Sequence, residues 1–406
     1  MRKIITFLGM SSSQTKYQHR SQVYEGHVFP QVLRQFETFD QMLVCLTAGA
    51  RQKTWHLLEN LQDDRIIPID IPDGRNEAEI WTTFQKVIQH IDQDDQVIFD
   101  ITHGLRSLPF QVFLFAAYLK AAKNAAIEAI YYGAFDLKNE QGIAPVIDLS
   151  SFVTLLDWLI ATDRFTKSGD GEALADLIRQ PIPSQQEMQK VSAVKRMGEQ
   201  LQNAANAIET ISLALAVTRP AEVIEAATTL NRAVEAAEQS LDDQVKPFAL
   251  VQEQVKTAYG NFAVAASANQ VQHLQKQFDM IDWYLQRQQI VQAVTLAREW
   301  IVSVYCYKFE VNLNDKTSRE KVTQSLNNLK YKNGEPSRYD QRMKAEPNCH
   351  EIDEIWRETT RIRNEIAHCG MSYYRTRSNS NSASSLCDRM NRLYPKLKQQ
   401  IATLLK

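Results

Sequence analysis

The hydrophobic period of this chain changes once, near Asp148, and that change limits the possible folds more than any other feature. Before it, short runs rich in β-branched and aromatic residues alternate with amphipathic stretches, the pattern of strands joined by crossover helices. The expected strands are Lys3 to Leu8, Gln41 to Thr47, Ile66 to Ile71, Gln96 to Thr102 and Ala126 to Tyr132. The expected helices lie near Phe29 to Phe36, Ala50 to Gln62, Glu77 to Ile91 and Pro109 to Lys123, the last with proline in its first turn, where a missing N–H costs nothing. Uninterrupted apolar strands such as Val97-Ile98-Phe99 predict a parallel sheet covered on both faces, hence a doubly wound fold.

After Asp148 the β-branched clusters give way to Ala, Gln, Glu and Leu at helical spacing, beginning with Phe152 to Phe165. Gly169, Gly171, Pro181 and Pro183 then punctuate the chain, and from about Gln185 almost everything reads as helix. Two polar stretches are expected to break it, Asn312 to Pro347 and a loop from Tyr374 to Ser385. The predicted fold class is an α/β Rossmann-like N-terminal domain (1–150), a helical Pro/Gly linker (151–185) and an all-α C-terminal domain (186–406). Two domains are also what 406 residues would give by size alone.

The 46 basic and 48 acidic side chains give a formal charge of -2, which excludes a uniformly basic nucleic-acid coat protein. Any RNA contact must therefore be local. Five cysteines, odd in number and never in a CxxC pair, argue against a disulfide framework and a zinc site, and suit a reducing cytoplasm. The apolar start is too short for a signal peptide, and no run of eighteen uncharged apolar residues follows, so a cytoplasmic protein without a membrane span is expected.

Ligands of an open parallel sheet bind outside the carboxyl ends of its strands, where loops offer backbone N–H groups. The first strand runs into Gly9-Met10-Ser11-Ser12-Ser13, a glycine followed by hydroxyls. The fourth runs into Asp100-Ile101-Thr102-His103-Gly104-Leu105-Arg106-Ser107-Leu108-Pro109 and then directly into a helix. Here Thr102, His103 and Ser107 supply hydrogen-bonding groups, Gly104 a tight turn and Arg106 a forked cation suited to phosphate. Read blandly, the serines form a polar turn and His103 is a satisfied loop residue. The string Asp-x-Thr-His-Gly-x-Arg-Ser-x-Pro after an apolar strand resembles the signature of CRISPR-associated Rossmann-fold (CARF) sensor domains, and Phe7-Leu8-Gly9 resembles their first strand and loop. The resemblance covers roughly 1–150. It implies a domain that dimerises and binds a cyclic oligoadenylate across the dimer axis, with Gly9 to Ser13 and Thr102 to Ser107 lining the ligand.

Near the other end, Ile352, Ile355, Trp356, Thr359, Ile362 and Ile366 recur at helical spacing and define one apolar face. At about 100° per residue, Arg363 falls inside that face. An arginine in such a stripe needs a partner, whether a subunit interface, a buried carboxylate or an RNA phosphate. Alternatively the arginine snorkels and His368 merely caps a helix ending at Gly370. Arg363-Asn364-x-x-x-His368 resembles the Arg-x4-6-His motif of HEPN ribonucleases. Arg361 satisfies that motif too, and on an unbroken helix it shares a face with Asn364 and His368; the expected catalytic set is nonetheless Arg363, Asn364 and His368.

Taken together, the chain resembles the CRISPR-associated CARF-HEPN endoribonucleases of type III systems. That resemblance implies a cytoplasmic homodimer, or a higher oligomer built on it, that cuts single-stranded RNA once a cyclic oligoadenylate binds, with the tetra-adenylate favoured. It implies no cofactor or metal for catalysis. The ribose 2′-OH would attack the adjacent phosphorus, Arg363 would neutralise the developing charge, His368 would handle protons and Asn364 would orient the pair. Three competing functions are a nicotinamide oxidoreductase, which lacks the GxGxxG fingerprint, a ligand-sensing regulator whose helical domain only dimerises, and a sensor that also degrades its cyclic ligand.

Overall fold

The computed structural model describes residues 1–104, 107–184, 188, 191–238, 246–329, 336–369, 382–401 and 405. They form two compact units, Met1–Asp157 and Trp158–Lys406.

In the first unit the chain runs β1 (Arg2–Leu8), β2 (Thr15–His19), β3 (Gln22–Gly26), α1 (Phe29–Phe36), β4 (Gln41–Leu46), α2 (Ala48–Lys53), α3 (His56–Glu59), β5 (Ile66–Asp70), α4 (Glu77–Gln89), β6 (Gln96–Asp100), α5 (Leu108–Lys123), β7 (Ala126–Gly133) and β8 (Ile143–Asp148). The eight strands form one sheet in the order β3-β2-β8-β7-β6-β1-β4-β5. From β7 to β5 all neighbours are parallel, with Ile5 opposite both Leu43 and Phe99. Alternation along these strands feeds two cores. Ile4, Val44 and Ile98 pack with Phe29, Val32 and Leu33 of α1, whereas Ile5, Leu43 and Phe99 pack with Val112, Phe115 and Leu119 of α5. Both faces of the sheet are therefore covered, as the unbroken apolar strands required.

All five expected strands are present, and three more extend the sheet. β8 runs antiparallel to β7, β2 pairs parallel with β8, and β3 closes the edge antiparallel to β2. The expected helix Ala50 to Gln62 is instead two short helices, because Thr54 ends α2 and its hydroxyl donates to the carbonyls of Ala50 and Gly9. At the sheet's amino edge Lys3, only 3% exposed, pairs with Asp95 at 2.7 Å, and the N-terminal amine reaches the other oxygen of Asp95. Burial opposes ionisation of both groups, but their mutual hydrogen bonds win: Lys3 is held above its usual pKa and Asp95 below.

Among the described residues the remaining elements are helical: α6 (Ser150–Ser168), α7 (Glu172–Arg179), α8 (Ser192–Ala216), α9 (Pro220–Glu238), α10 (Lys246–Tyr259), α11 (Gln270–Gln286), α12 (Ile290–Lys308), α13 (Lys316–Asn327), α14 (Asp340–Lys344), α15 (Cys349–Ala367) and α16 (Ala383–Ile401), with a 3₁₀ turn at Gly260–Phe262. The stretch read as a linker folds as α6 and α7, and Leu174, Ala175 and Ile178 of α7 sit in the second unit's core. Two of that core's buried aromatic residues place their polar atoms on backbone carbonyls: Trp300 Nε1 donates to Leu274 at 2.7 Å and the Tyr284 hydroxyl to Leu215 at 2.8 Å.

The polar stretch Asn312 to Pro347 was expected to interrupt the helical domain, yet it contains α13 and α14. Asp315 caps α13 by accepting from the Ser318 N–H at 2.9 Å, and Val322 and Leu326 alone anchor it in the core. Of the expected loop Tyr374 to Ser385, positions 374–381 lie outside the described residues, while Ala383 already belongs to α16. Gly370 and Arg106 also lie outside them. All five cysteines are unbonded. Among the described residues no helix is long and apolar enough to cross a membrane.

Candidate functional site

The sheet reverses its direction of winding between β1 and β6: β4 and β5 follow on one side of β1, β6 and β7 on the other. Loops leaving the carboxyl ends of two such strands diverge and open a crevice, the usual ligand position in this architecture. The loops singled out in the sequence are the two that leave there, and they touch: a Cβ on Gly9 would lie 3.5 Å from the His103 Cβ and 3.9 Å from the Gly104 nitrogen. Gly104 takes φ +130°, and a side chain there would meet Leu108 at 2.9 Å, so the turn depends on glycine.

The polar groups of this crevice divide into framework and surface. Asp100 is fully buried, accepts from the Thr6 hydroxyl at 2.6 Å and from the Thr102 N–H at 2.8 Å, and is pushed above the usual carboxylate range by burial. Thr102 Oγ1 accepts from the Gly133 N–H at 2.7 Å, tying the loop to β7. His103 Nε2 accepts from the Phe29 N–H at 3.0 Å, which satisfies an orphan donor at the start of α1 and puts the ring proton of the neutral form on Nδ1. Burial holds His103 below its ordinary pKa, against the pull of Asp100. Met10, Ser11, Ser12, Ser13, Gly104 and Ser107 are exposed. Sequence reading missed the third loop at this end, after β4: a Cβ on Gly49 would meet the Met10 sulfur at 2.6 Å, and Thr47 caps α2. Thr-Ala-Gly at the end of an apolar strand was the signal available for it.

In the second unit, α15 buries Ile352, Ile355, Trp356, Thr359 and Ile362, the apolar face read from the sequence. Its last turn is closed by the His368 N–H donating to the Asn364 carbonyl at 3.0 Å, and Cys369 then turns away at φ +50°. Beside this helix lies a cleft of about 560 Å³ whose walls include Asn327, Trp356, Arg361, Asn364 and His368. That volume is within the range of small-ligand sites. The structure therefore brings Asn364 and His368 together, with Arg357 and Arg361 as the arginines that line the cleft, and Arg363 is not among its lining residues.

The two candidate arginines differ in what they touch. Arg361 donates to Glu365 Oε1 at 3.1 Å, while Glu365 Oε2 accepts from Arg389 at 2.8 Å and Arg389 Nε donates to Glu358 at 2.6 Å. Arg363 is half-buried on the Arg298 side of the helix and has no hydrogen-bond or ion-pair partner among the described residues. Arg298 stacks over the Trp356 ring, its guanidinium carbon 4.8 Å from the centroid. The Trp356 indole N–H in turn donates to Asn327 Oδ1 at 2.9 Å, fixing the cleft wall. Among the described residues no group of three or more His, Cys, Asp or Glu side chains is arranged to hold a metal ion.

Residues 154–270 match the family described as CRISPR-associated protein MJ1674, second domain. A curated relative, CRISPR-associated protein MJ1674 of Methanocaldococcus jannaschii, is 32% identical over 108 residues; that alignment spans 26% of this chain and 17% of the relative's length. Among solved structures, Enterococcus italicus Csm6 bound to cyclic hexa-2'-fluoro-hexa-dAMP aligns over 100% of this chain and 99% of its own, at 12% identity and a TM-score of 0.42, a likeness too loose to carry an argument. The CRISPR-associated resemblance read from the two end motifs is thus borne out by a separate stretch of the chain, residues 154–270, that contains neither motif.

Proposed function

We propose that the chain is a cyclic oligoadenylate-activated endoribonuclease that cuts single-stranded RNA in type III CRISPR defence, with an N-terminal sensor and a C-terminal HEPN nuclease. One observation carries the reading: at the end of α15, Asn364 and His368 stand side by side on an open cleft, and the neighbouring Arg363 has no carboxylate partner among the described residues. An unpaired, half-buried guanidinium is a site waiting for an anion. Arg361 lies in the cleft but already shares its charge with Glu365, so Arg363 is the better phosphate ligand even though its long side chain must reach round the helix. The chemistry follows from those groups. The 2′-OH gives up its proton as its oxygen bonds to the adjacent phosphorus, the bond to the 5′-oxygen breaks and that oxygen takes up a proton, His368 serving one of these two transfers and water the other, and the products carry a 2′,3′-cyclic phosphate and a 5′-OH.

The sensor reading rests on the crevice between β1 and β6, where exposed Ser11, Ser12, Ser13 and Ser107 and the Gly104 turn offer donors to a phosphodiester, with Arg106 as the cation. The ring of His103 is committed to the Phe29 N–H, which favours binding over ligand cleavage by this loop. A homodimer is supported by α5, which starts where the sensor loop ends. It exposes Phe110, Leu114 and Tyr118, one turn apart each, with Phe110 70% accessible. Incubating the purified protein and a labelled single-stranded RNA with cyclic tri-, tetra- and hexa-adenylate in turn tests the whole reading. Cleavage stimulated by one of these rings is expected; a rate that none of them changes would refute the sensor assignment.

A further inference from the structure

Beside the His368 cleft, the second unit concentrates positive charge that its own carboxylates do not balance. Arg298, from α12, is 18% exposed and packed on Trp356. Its Nε is buried without a hydrogen-bond partner. Among the described residues its one ion pair is to Glu299 Oε1, at 2.8 Å, and the other oxygen of that glutamate is taken by Arg319 at 2.9 Å. Lys316, at the start of α13, is 89% exposed and among the described residues reaches only Glu320, at 3.9 Å. Two carboxylates thus face three cations in one hollow, and Arg363 adds a fourth positive charge felt by Arg298. Burial and that like charge hold Arg298 below its usual pKa, although Glu299 opposes them. Folding keeps such an arrangement at a cost unless an anion completes it.

The hollow and the cleft share Asn327 in their walls. Its carbonyl oxygen is occupied by the Trp356 indole N–H, so its amide N–H groups are the ones left to offer, and they have no partner among the described residues. We propose that this hollow is a second RNA-backbone subsite, in which Arg298, Lys316 and Asn327 hold a phosphodiester of the same strand whose scissile phosphate lies at His368. The subsite rests on reading the His368 cleft as an RNA-cutting site. A diester suits it because Asn327 lines both the cleft and the hollow, so one strand can run from one to the other, and because a singly charged phosphate matches the one uncompensated charge of the hollow. Direct contact by Arg298 also explains why an arginine is held by aromatic stacking there rather than by a full complement of acids.

The test is binding of a fluorescent 2′-O-methyl single-stranded RNA, which lacks the nucleophile, to the full chain across a salt series. Lys316→Gln should weaken binding about threefold, and Arg298→Gln with Lys316→Gln about tenfold at 0.1 M salt, with the salt slope reduced by about 0.7 for each cation removed. Lys316 is almost wholly exposed, so its substitution reads the subsite even if the Arg298 variant loses its fold. Unchanged affinity and unchanged salt slope in Lys316→Gln and in a folded Arg298→Gln would overturn the subsite. Failure of the underlying reading looks different: a His368→Ala protein that still cuts RNA at the wild-type rate removes the nuclease assignment, whatever the salt slopes show.

Discussion

Replacing Arg363 and Arg361 by alanine, separately, distinguishes a phosphate-binding arginine from a surface one. Arg363 makes no hydrogen bond or ion pair among the described residues and sits beside the like charge of Arg298. Its removal therefore breaks no stabilising pair, and the melting temperature should stay within the change caused by about ±0.5 kcal/mol. If the guanidinium meets charge that develops only in the transition state, its loss should slow the chemical step by about 10²–10³-fold, on the order of 3–4 kcal/mol, the scale found for removing one such donor from an active site. Arg361 is 63% exposed and forms an i,i+4 pair with Glu365. Breaking that pair costs about 0.3–0.5 kcal/mol of stability. Because Glu365 remains held by Arg389, the cleft wall stays in place, and a loss of no more than about tenfold in rate is expected. Single-turnover cleavage of a labelled RNA at saturating activator, with thermal melting of the same samples, separates chemistry from folding. Equal losses in both variants, or a larger loss for Arg361→Ala, would refute the assignment of Arg363.

Phe110→Glu with Leu114→Glu should convert a dimer into a monomer by sedimentation; an unchanged mass would remove α5 from the interface. Asp95→Asn should lower the melting temperature on the order of 10 °C, from about 3 kcal/mol lost when the buried Lys3 keeps the exposed Asp92 and the His90 carbonyl but loses its buried carboxylate. Asp95 is depressed on folding, so the pair's contribution is fully present above its ordinary value and lost as pH falls through the lower folded one. Lys3 is raised, so the contribution is fully present below its ordinary value and lost as pH climbs through the higher folded one; melting scans at acid, neutral and alkaline pH read both limits. Arg106→Ala with His103→Ala should weaken calorimetric binding of the cyclic oligoadenylate while leaving the maximal cutting rate recoverable at high ligand; unchanged affinity for every ring tested would dispose of the sensor site.

The parallel centre of the sheet was legible because β1, β4 and β6 are buried on both faces and so are written as apolar runs. The edge was not. Thr15–His19 turns a polar Thr15 and an aromatic Tyr17 inward between exposed polar residues, the turn that follows uses Arg20 at φ +54° where a glycine would have announced it, and β8 carries Pro145 within the strand. α13 was hidden for a similar reason: a helix held by Val322 and Leu326 has too few apolar positions to show a period. In the sites, sequence located the loops and the helix but not the direction of individual groups. Nothing in the Asp-x-Thr-His-Gly string says that Thr102 and His103 bind their own backbone neighbours, and no local pattern brings Arg298, sixty-five positions upstream, to the side of Arg363.

The nuclease chemistry is tested most directly by the ends it leaves. RNA cut by the activated wild-type protein in excess EDTA should carry 2′,3′-cyclic phosphate and 5′-OH termini, and the His368→Ala protein, with equal melting temperature and ligand affinity, should produce neither. Cleavage that EDTA abolishes and Mg²⁺ restores, leaving 5′-phosphate ends, or full activity without His368, would contradict it.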